Sequence, residues 1–97
     1  TNTTIAIVAT NAKLTKPQVT KIAQMAQDGI ARSIYPSHTT RDGDAVFSLA
    51  TGTLELNSDV SVIGSLAADM IVESILRALN SAVSLKGIPS INDLKND

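Results

Sequence analysis

The alternation of apolar and polar positions divides this chain into four elements. Residues Thr4 to Thr10 read TIAIVAT, β-branched apart from two alanines and largely apolar on both alternating faces. A strand that is apolar on both faces is usually a central one, covered above and below. A change to helical spacing follows. Thr15 is placed to cap a helix with Gln18 as its capping-box partner, and Pro17 stands in the first turn, where a missing N–H matters least. Leu14 and Val19 occupy the two positions of a hydrophobic staple. Val19, Ile22, Ala23, Ala26, Ile30 and Ile34 then form one apolar stripe, which Tyr35-Pro36 ends because a residue before proline is pushed out of the α region.

A polar loop, Ser37 to Asp44 (SHTTRDGD), leads into a second strand from Ala45 to about Thr51, with Gly52 expected to stop it. Leu54 and Leu56 suggest a further short extended piece. Asn57, Ser58 and Asp59 offer caps for a long helix from Val60 to about Leu85. On it Ser61, Ser65, Asp69, Glu73 and Arg77 recur every fourth residue as a narrow polar stripe among apolar side chains. Such a helix is expected to be buried on most of its circumference. Gly87 is a natural C-terminal stop, Pro89 prevents continuation, and residues 90–97 form a polar tail.

Strand, helix, strand, helix is an incomplete inventory for an independent fold. A stable sheet normally needs three strands or more. Both strands read as two-sided, and the second helix carries more apolar surface than this chain can cover. The aromatics are Tyr35 and Phe47 alone, so the core must be built from Ile, Val, Leu and Ala. The expectation is a subunit fragment whose missing surface comes from another chain or another copy.

Charge and composition narrow the function classes. A net charge of −1 and a pI near 5.6, with eight scattered Lys and Arg, leave no electrostatic footprint for nucleic acid or anionic membrane. The absence of cysteine excludes disulfides and thiolate metal sites. At 43% hydrophobic residues the composition suits a folded chain. No apolar run approaches the roughly 18 residues that span a bilayer, and there is no basic segment followed by an apolar one as in a signal peptide. A soluble, cytoplasmic protein is expected.

The chain starts at Thr1, and its methionines are Met25 and Met70, so processing, proteolysis or a chosen start point is expected to have made this terminus. A hydroxyl beside a generated terminus suggests an N-terminal nucleophile. A threonine hydroxyl is weak alone, but a free α-amine on the same residue can take its proton. Such an amine has a reference pKa of about 7.7 to 8.0, near working pH, where a general base performs well. Thr1, Thr3 and Thr4 are all candidates on composition, and all three equally suit a strand entry. In Asp42-Gly43-Asp44 the outer carboxylates lie two residues apart, so an extended backbone turns them to one side. Gly43 permits a turn or a close approach by a neighbour. A polar turn or a metal loop is the alternative, although an EF-hand fits badly because the twelfth position from Asp42 is Thr53. His38, the single histidine, needs no site role when an α-amine is available. Asn2-Thr3-Thr4 also spells a glycosylation sequon without a secretory signal to support it.

NTTIAIVATNA, then AQDGIARSIYP, then HT and DGD before VFSLATG, occur here in that order. Together they resemble the C-terminal (β) chain of the DmpA-type self-cleaving aminopeptidases, the family of L-aminopeptidase/D-esterases, β-peptidyl aminopeptidases and nylon-oligomer hydrolases. The resemblance is close over residues 2–52, and the long helix fits in kind. It implies that a precursor cuts itself once and that the new terminal Ser or Thr becomes the nucleophile. In the threonine branch the scissile bond follows Asn, which corresponds here to Asn2–Thr3. Thr3 is the residue carried over, while a register two residues earlier would make it Thr1. The acidic pair, Asp42 and Asp44, is implied to orient the threonine hydroxyl and ammonium group.

The implied fold is α/β, part of a four-layer α/β/β/α sandwich completed by a separate α chain. Residues 1–97 would then be the C-terminal segment of one larger catalytic domain. The implied chemistry is amide hydrolysis through a Thr acyl-enzyme on small peptides or aminoacyl amides, with no cofactor and no metal. The implied partners are the N-terminal α chain of the same precursor, supplying the oxyanion donors and most of the pocket, and further αβ units in a tetramer. Two rivals stand beside this: an ornithine-acetyltransferase-like acyl transferase, disfavoured because that family's motif around the cut is missing, and a non-catalytic α/β interaction subunit.

Overall fold

A computed structural model describes residues 3–34, 43–54 and 59–82. They form a small α/β unit in the order β1 (Ile5–Ala12), α1 (Lys16–Ser33), β2 (Ala45–Leu54) and α2 (Val60–Ser81). The two strands run parallel, with Ile5 opposite Ala45 and the register kept through Thr10 opposite Ala50. Parallel neighbours require a crossover, and α1 provides it.

The start of α1 follows from its local sequence. Thr15 is extended, its hydroxyl accepts from the Gln18 N–H at 3.4 Å, and its own N–H donates to Gln18 Oε1 at 2.8 Å. Two of the first-turn groups that a helix leaves unpaired are thus satisfied reciprocally. At the other end Ile34 returns to extended geometry while its N–H still donates to the Ile30 carbonyl at 2.8 Å. Asp59 caps α2, its Oδ1 accepting from Ser61 N–H at 2.9 Å and Val62 N–H at 3.4 Å. α2 ends at Ser81, before the expected limit near Leu85; Leu85, Gly87, Pro89 and the tail lie outside the described residues.

The strands correct two expectations. β1 spans Ile5–Ala12 rather than Thr4 to Thr10, and Gly52 does not stop β2, which continues to Leu54. Gly52 has φ +72°, a left-handed conformation that glycine adopts without a Cβ penalty. The pairing shifts at this place: Thr10 faces Ala50, but Ala12 faces Leu54. The irregularity takes up the extra β2 residues and lets both strands run on, as a bulge does.

Both helices lie on one face of the sheet. Ile22, Ala26, Ile30, Ala67 and Ile71 form the buried cluster, with Ala6, Val8 and Val46 packed against it from the strands. Ile22 and Ile30 are the largest fully buried side chains, 1% and 0% exposed. The helices approach closely because small residues sit at their crossing. A methyl on Gly29 would collide with the Ala68 carbonyl and stand 2.8 Å from Ile71 Cβ, and one on Gly64 would collide with Met25 Sδ. Arg32 of α1 pairs with Asp69 on the polar stripe of α2 at 2.8 Å.

The opposite face of the sheet is apolar and uncovered by the described residues: Ile5, Ile7 and Phe47 are 71%, 69% and 60% exposed. On α2, Val62, Leu66, Met70, Leu76 and Leu79 are exposed as well. Burial of α2 on most of its circumference is therefore not achieved by the described residues; only Gly64, Ala67, Ala68 and Ile71 are buried. No helix among the described residues is long and apolar enough to cross a membrane.

Candidate active site

Parallel pairing carries the leading ends of both strands to the same edge of the sheet. Because Ile5 faces Ala45, the residues just before them, Thr3-Thr4 and Gly43-Asp44, come side by side. Hydrogen bonds across the ladder hold this junction. The Ala45 N–H donates to the Thr4 carbonyl at 3.0 Å, and the Thr4 N–H donates to Asp44 Oδ1 at 2.9 Å. The second joins residues 40 positions apart in the chain and is partly buried. Its acceptor is a carboxylate, which makes it stronger than a neutral amide pair.

Thr3 is exposed and next to this clamp. Its hydroxyl lies beside Gly43: a methyl built on Gly43 would stand 3.2 Å from Thr3 Oγ1 and 3.9 Å from Thr3 Cγ2. The structure thus brings Thr3, Gly43 and Asp44 together. Thr1, Asn2, His38 and Asp42 lie outside the described residues. The bond from Asp44 to the Thr4 amide has no local sequence signal, since it depends on register across the crossover. Among the described residues, no group of three or more His, Cys, Asp or Glu could hold a metal ion.

The side of β1 away from β2 opens into a groove against α2. One stretch, of about 410 Å³, is lined by residues including Ile7, Val8, Ile63, Leu66 and Met70. A second, of about 280 Å³, is lined by Thr4, Ile5, Ile75 and Ala78 among others. Among the described residues β1 pairs only with β2, so this groove runs along a strand edge that pairs with none of them. Arranged this way, the junction can present a hydroxyl at the head of a strand whose next amide is held by a carboxylate.

The chain matches the model of Peptidase family S58 over residues 1–91. It is 40% identical over 102 residues to an uncharacterized aminopeptidase of Mycobacterium leprae, covering 92% of this chain and 28% of that protein. An uncharacterized aminopeptidase of Mycobacterium bovis is 36% identical over 106 residues, covering 96% of this chain and 31% of its own length. A 6-aminohexanoate-oligomer endohydrolase of Kocuria sp. is 25% identical over 88 residues, covering 79% and 25%. The chain therefore spans less than a third of the length of these curated relatives. No solved structure gives a significant match.

Proposed function

The chain belongs to peptidase family S58, and from that membership we propose that it is the C-terminal part of a self-cleaving hydrolase whose nucleophile is Thr3. What carries the reading is the junction itself: a threonine at the head of β1 whose hydroxyl lies against Gly43 and whose following amide is held by Asp44. Relatives carry the names aminopeptidase and 6-aminohexanoate-oligomer endohydrolase, and both names denote hydrolysis of amide-linked chains. The proposed substrate class is accordingly a small peptide, aminoacyl amide or oligoamide.

Self-cleavage begins with Thr3 Oγ1 attacking the carbonyl carbon of Asn2. The C–N bond to Thr3 breaks, the hydroxyl proton passes to the departing nitrogen, and an ester joins Asn2 to Thr3. Water hydrolyses that ester, releasing the Asn2 carboxylate and leaving Thr3 with a free α-amine. In turnover the same oxygen attacks a substrate amide. The α-amine accepts the hydroxyl proton and delivers it to the leaving amine, and water then cleaves the acyl-enzyme. Asp44 holds the chain just after the nucleophile, so the hydroxyl and amine keep one orientation; Asp42, two residues earlier, is assigned the neighbouring acidic role. Oxyanion donors would come from the part of the precursor that precedes Thr3.

The same precursor segment is the proposed partner. It would cover the apolar sheet face at Ile5, Ile7 and Phe47 and fill the groove between β1 and α2, completing a four-layer α/β/β/α sandwich, with αβ units assembling further into a homo-oligomer. The apolar sheet face that the described residues leave exposed at Ile5, Ile7 and Phe47 supports this, since a strand apolar on both faces is usually covered on both. The test is trapping: the full-length protein is mixed with an aminoacyl p-nitroanilide, quenched in acid and digested. An acyl mass added to the peptide beginning at Thr3 is expected. Turnover by a Thr3→Ala protein at the normal rate would remove the proposal.

A further inference from the structure

Apart from its chain neighbours, the only described side chain within 4 Å of a methyl placed on Gly43 is that of Thr3. We infer that Gly43 is a positioning residue for the nucleophile: with no Cβ there, nothing on Gly43 presses the Thr3 hydroxyl out of place. This inference rests on the hydrolase reading and extends it to a residue that bears no functional group.

A Cβ at 3.2 Å from Thr3 Oγ1 is tighter than nine in ten Cβ contacts, so the hydroxyl would have to give by a few tenths of an ångström. Threonine has little freedom to do so. Two heavy atoms on its Cβ make χ1 stiff, and turning the hydroxyl away also moves Cγ2, which stands 3.9 Å from the same methyl. The backbone beneath is held as well, because the Thr4 N–H and carbonyl are both bonded to the β2 side, at Asp44 and Ala45. The displacement therefore falls on the reacting oxygen. Misplacing a reacting group by about 1 Å can cost on the order of 100-fold, so a few tenths is expected to cost roughly tenfold. Since the contact is with the nucleophile rather than with substrate, the loss belongs in kcat and in the self-cleavage rate, not in KM.

The test is a cycle at two positions in the full-length protein. Self-cleavage is followed by intact mass, and kcat and KM are measured on the processed enzyme. Gly43→Ala is expected to slow both self-cleavage and kcat by about tenfold, with KM within about twofold of wild type. In a Thr3→Ser background the same change is expected to cost less than about threefold, because serine lacks Cγ2 and a small χ1 turn can relieve the contact while keeping Oγ within reach of its target. Equal losses in both backgrounds, or wild-type rates in Gly43→Ala, would overturn the inference.

If Gly43→Ala yields no folded protein, the uncleaved Thr3→Ala and Gly43→Ala/Thr3→Ala precursors are compared by thermal denaturation. Folding of the double variant with an unchanged midpoint supports a contact made through the Thr3 side chain. Failure of the double variant assigns the effect to the backbone and overturns it. A Thr3→Ala protein that still cleaves itself and turns over sinks the hydrolase reading, whereas an inert Thr3→Ala beside a fully active Gly43→Ala sinks this inference alone.

Discussion

Removing the Asp44 carboxylate should unfasten the head of β1 without dismantling the fold. Oδ1 accepts the Thr4 N–H at 2.9 Å in a partly buried setting. Hydrogen bonds to charged groups are worth about 1.5–3 kcal/mol, and an amide left without its partner loses that tether. The core lies elsewhere, around Ile22, Ala26, Ile30, Ala67 and Ile71, so the loss is local. At about 1.4 kcal/mol per factor of ten, it corresponds to roughly a ten- to hundred-fold larger open population at the strand head. In the full-length protein, Asp44→Ala is expected to raise hydrogen exchange at the Thr4 amide by that factor and to slow self-cleavage comparably. Exchange at Ile22 and Ile30 should stay as in wild type. Asp44→Asn keeps an acceptor of the same shape but loses the charge, and should fall between the two. Exchange is read by NMR, and cleavage by intact mass. Unchanged protection at Thr4 in Asp44→Ala would refute the reasoning, because the carboxylate would then not be what holds that amide.

Further expectations concern the scaffold and the proton. Ile30→Ala empties a fully buried position and should destabilise the protein by about 2–5 kcal/mol, measured as a lowered denaturation midpoint. Gly29→Ala adds about 1 kcal/mol of helix propensity but drives a methyl into the Ala68 carbonyl and Ile71; the clash should win, and a higher melting temperature would contradict the close crossing. Thr15→Ala removes one half of the capping box and should cost about 1 kcal/mol, read from the same denaturation curves. If the α-amine is the base, kcat/KM should rise with pH as it loses its proton, with a midpoint near its reference value of about 7.7 to 8.0; a profile flat from pH 6 to 9 would argue for another base.

What could be read along the chain was what depends on short-range chemistry. Thr15 and Gln18 declared the start of α1, and Asp59 was one of three caps foreseen for α2, because capping bonds span two or three residues. The two-sided strands foretold the uncovered face at Ile5, Ile7 and Phe47. Gly52 was misread for a physical reason: a glycine can end a strand or accommodate a bulge, and only the partner's register decides which. The clamp from Asp44 to the Thr4 amide was equally hidden. It joins residues 40 apart, and a one-residue slip of β1 against β2 would remove it. The family resemblance implied that Asp42 and Asp44 stand beside the proposed nucleophile, Thr3. That Asp44 holds the backbone one residue beyond Thr3 follows only from the parallel ladder.

The most direct test of the central claim is where the polypeptide carrying these residues begins in the purified full-length protein. The full-length protein is purified, its fragments are weighed intact, and the one carrying DGDAVFSLATG is sequenced from its amino end. The account requires a fragment beginning at Thr3 in the wild-type protein and a single uncut chain in Thr3→Ala. A wild-type protein that hydrolyses its substrate while remaining uncut, or one whose active fragment begins at a residue other than Thr3, would contradict it.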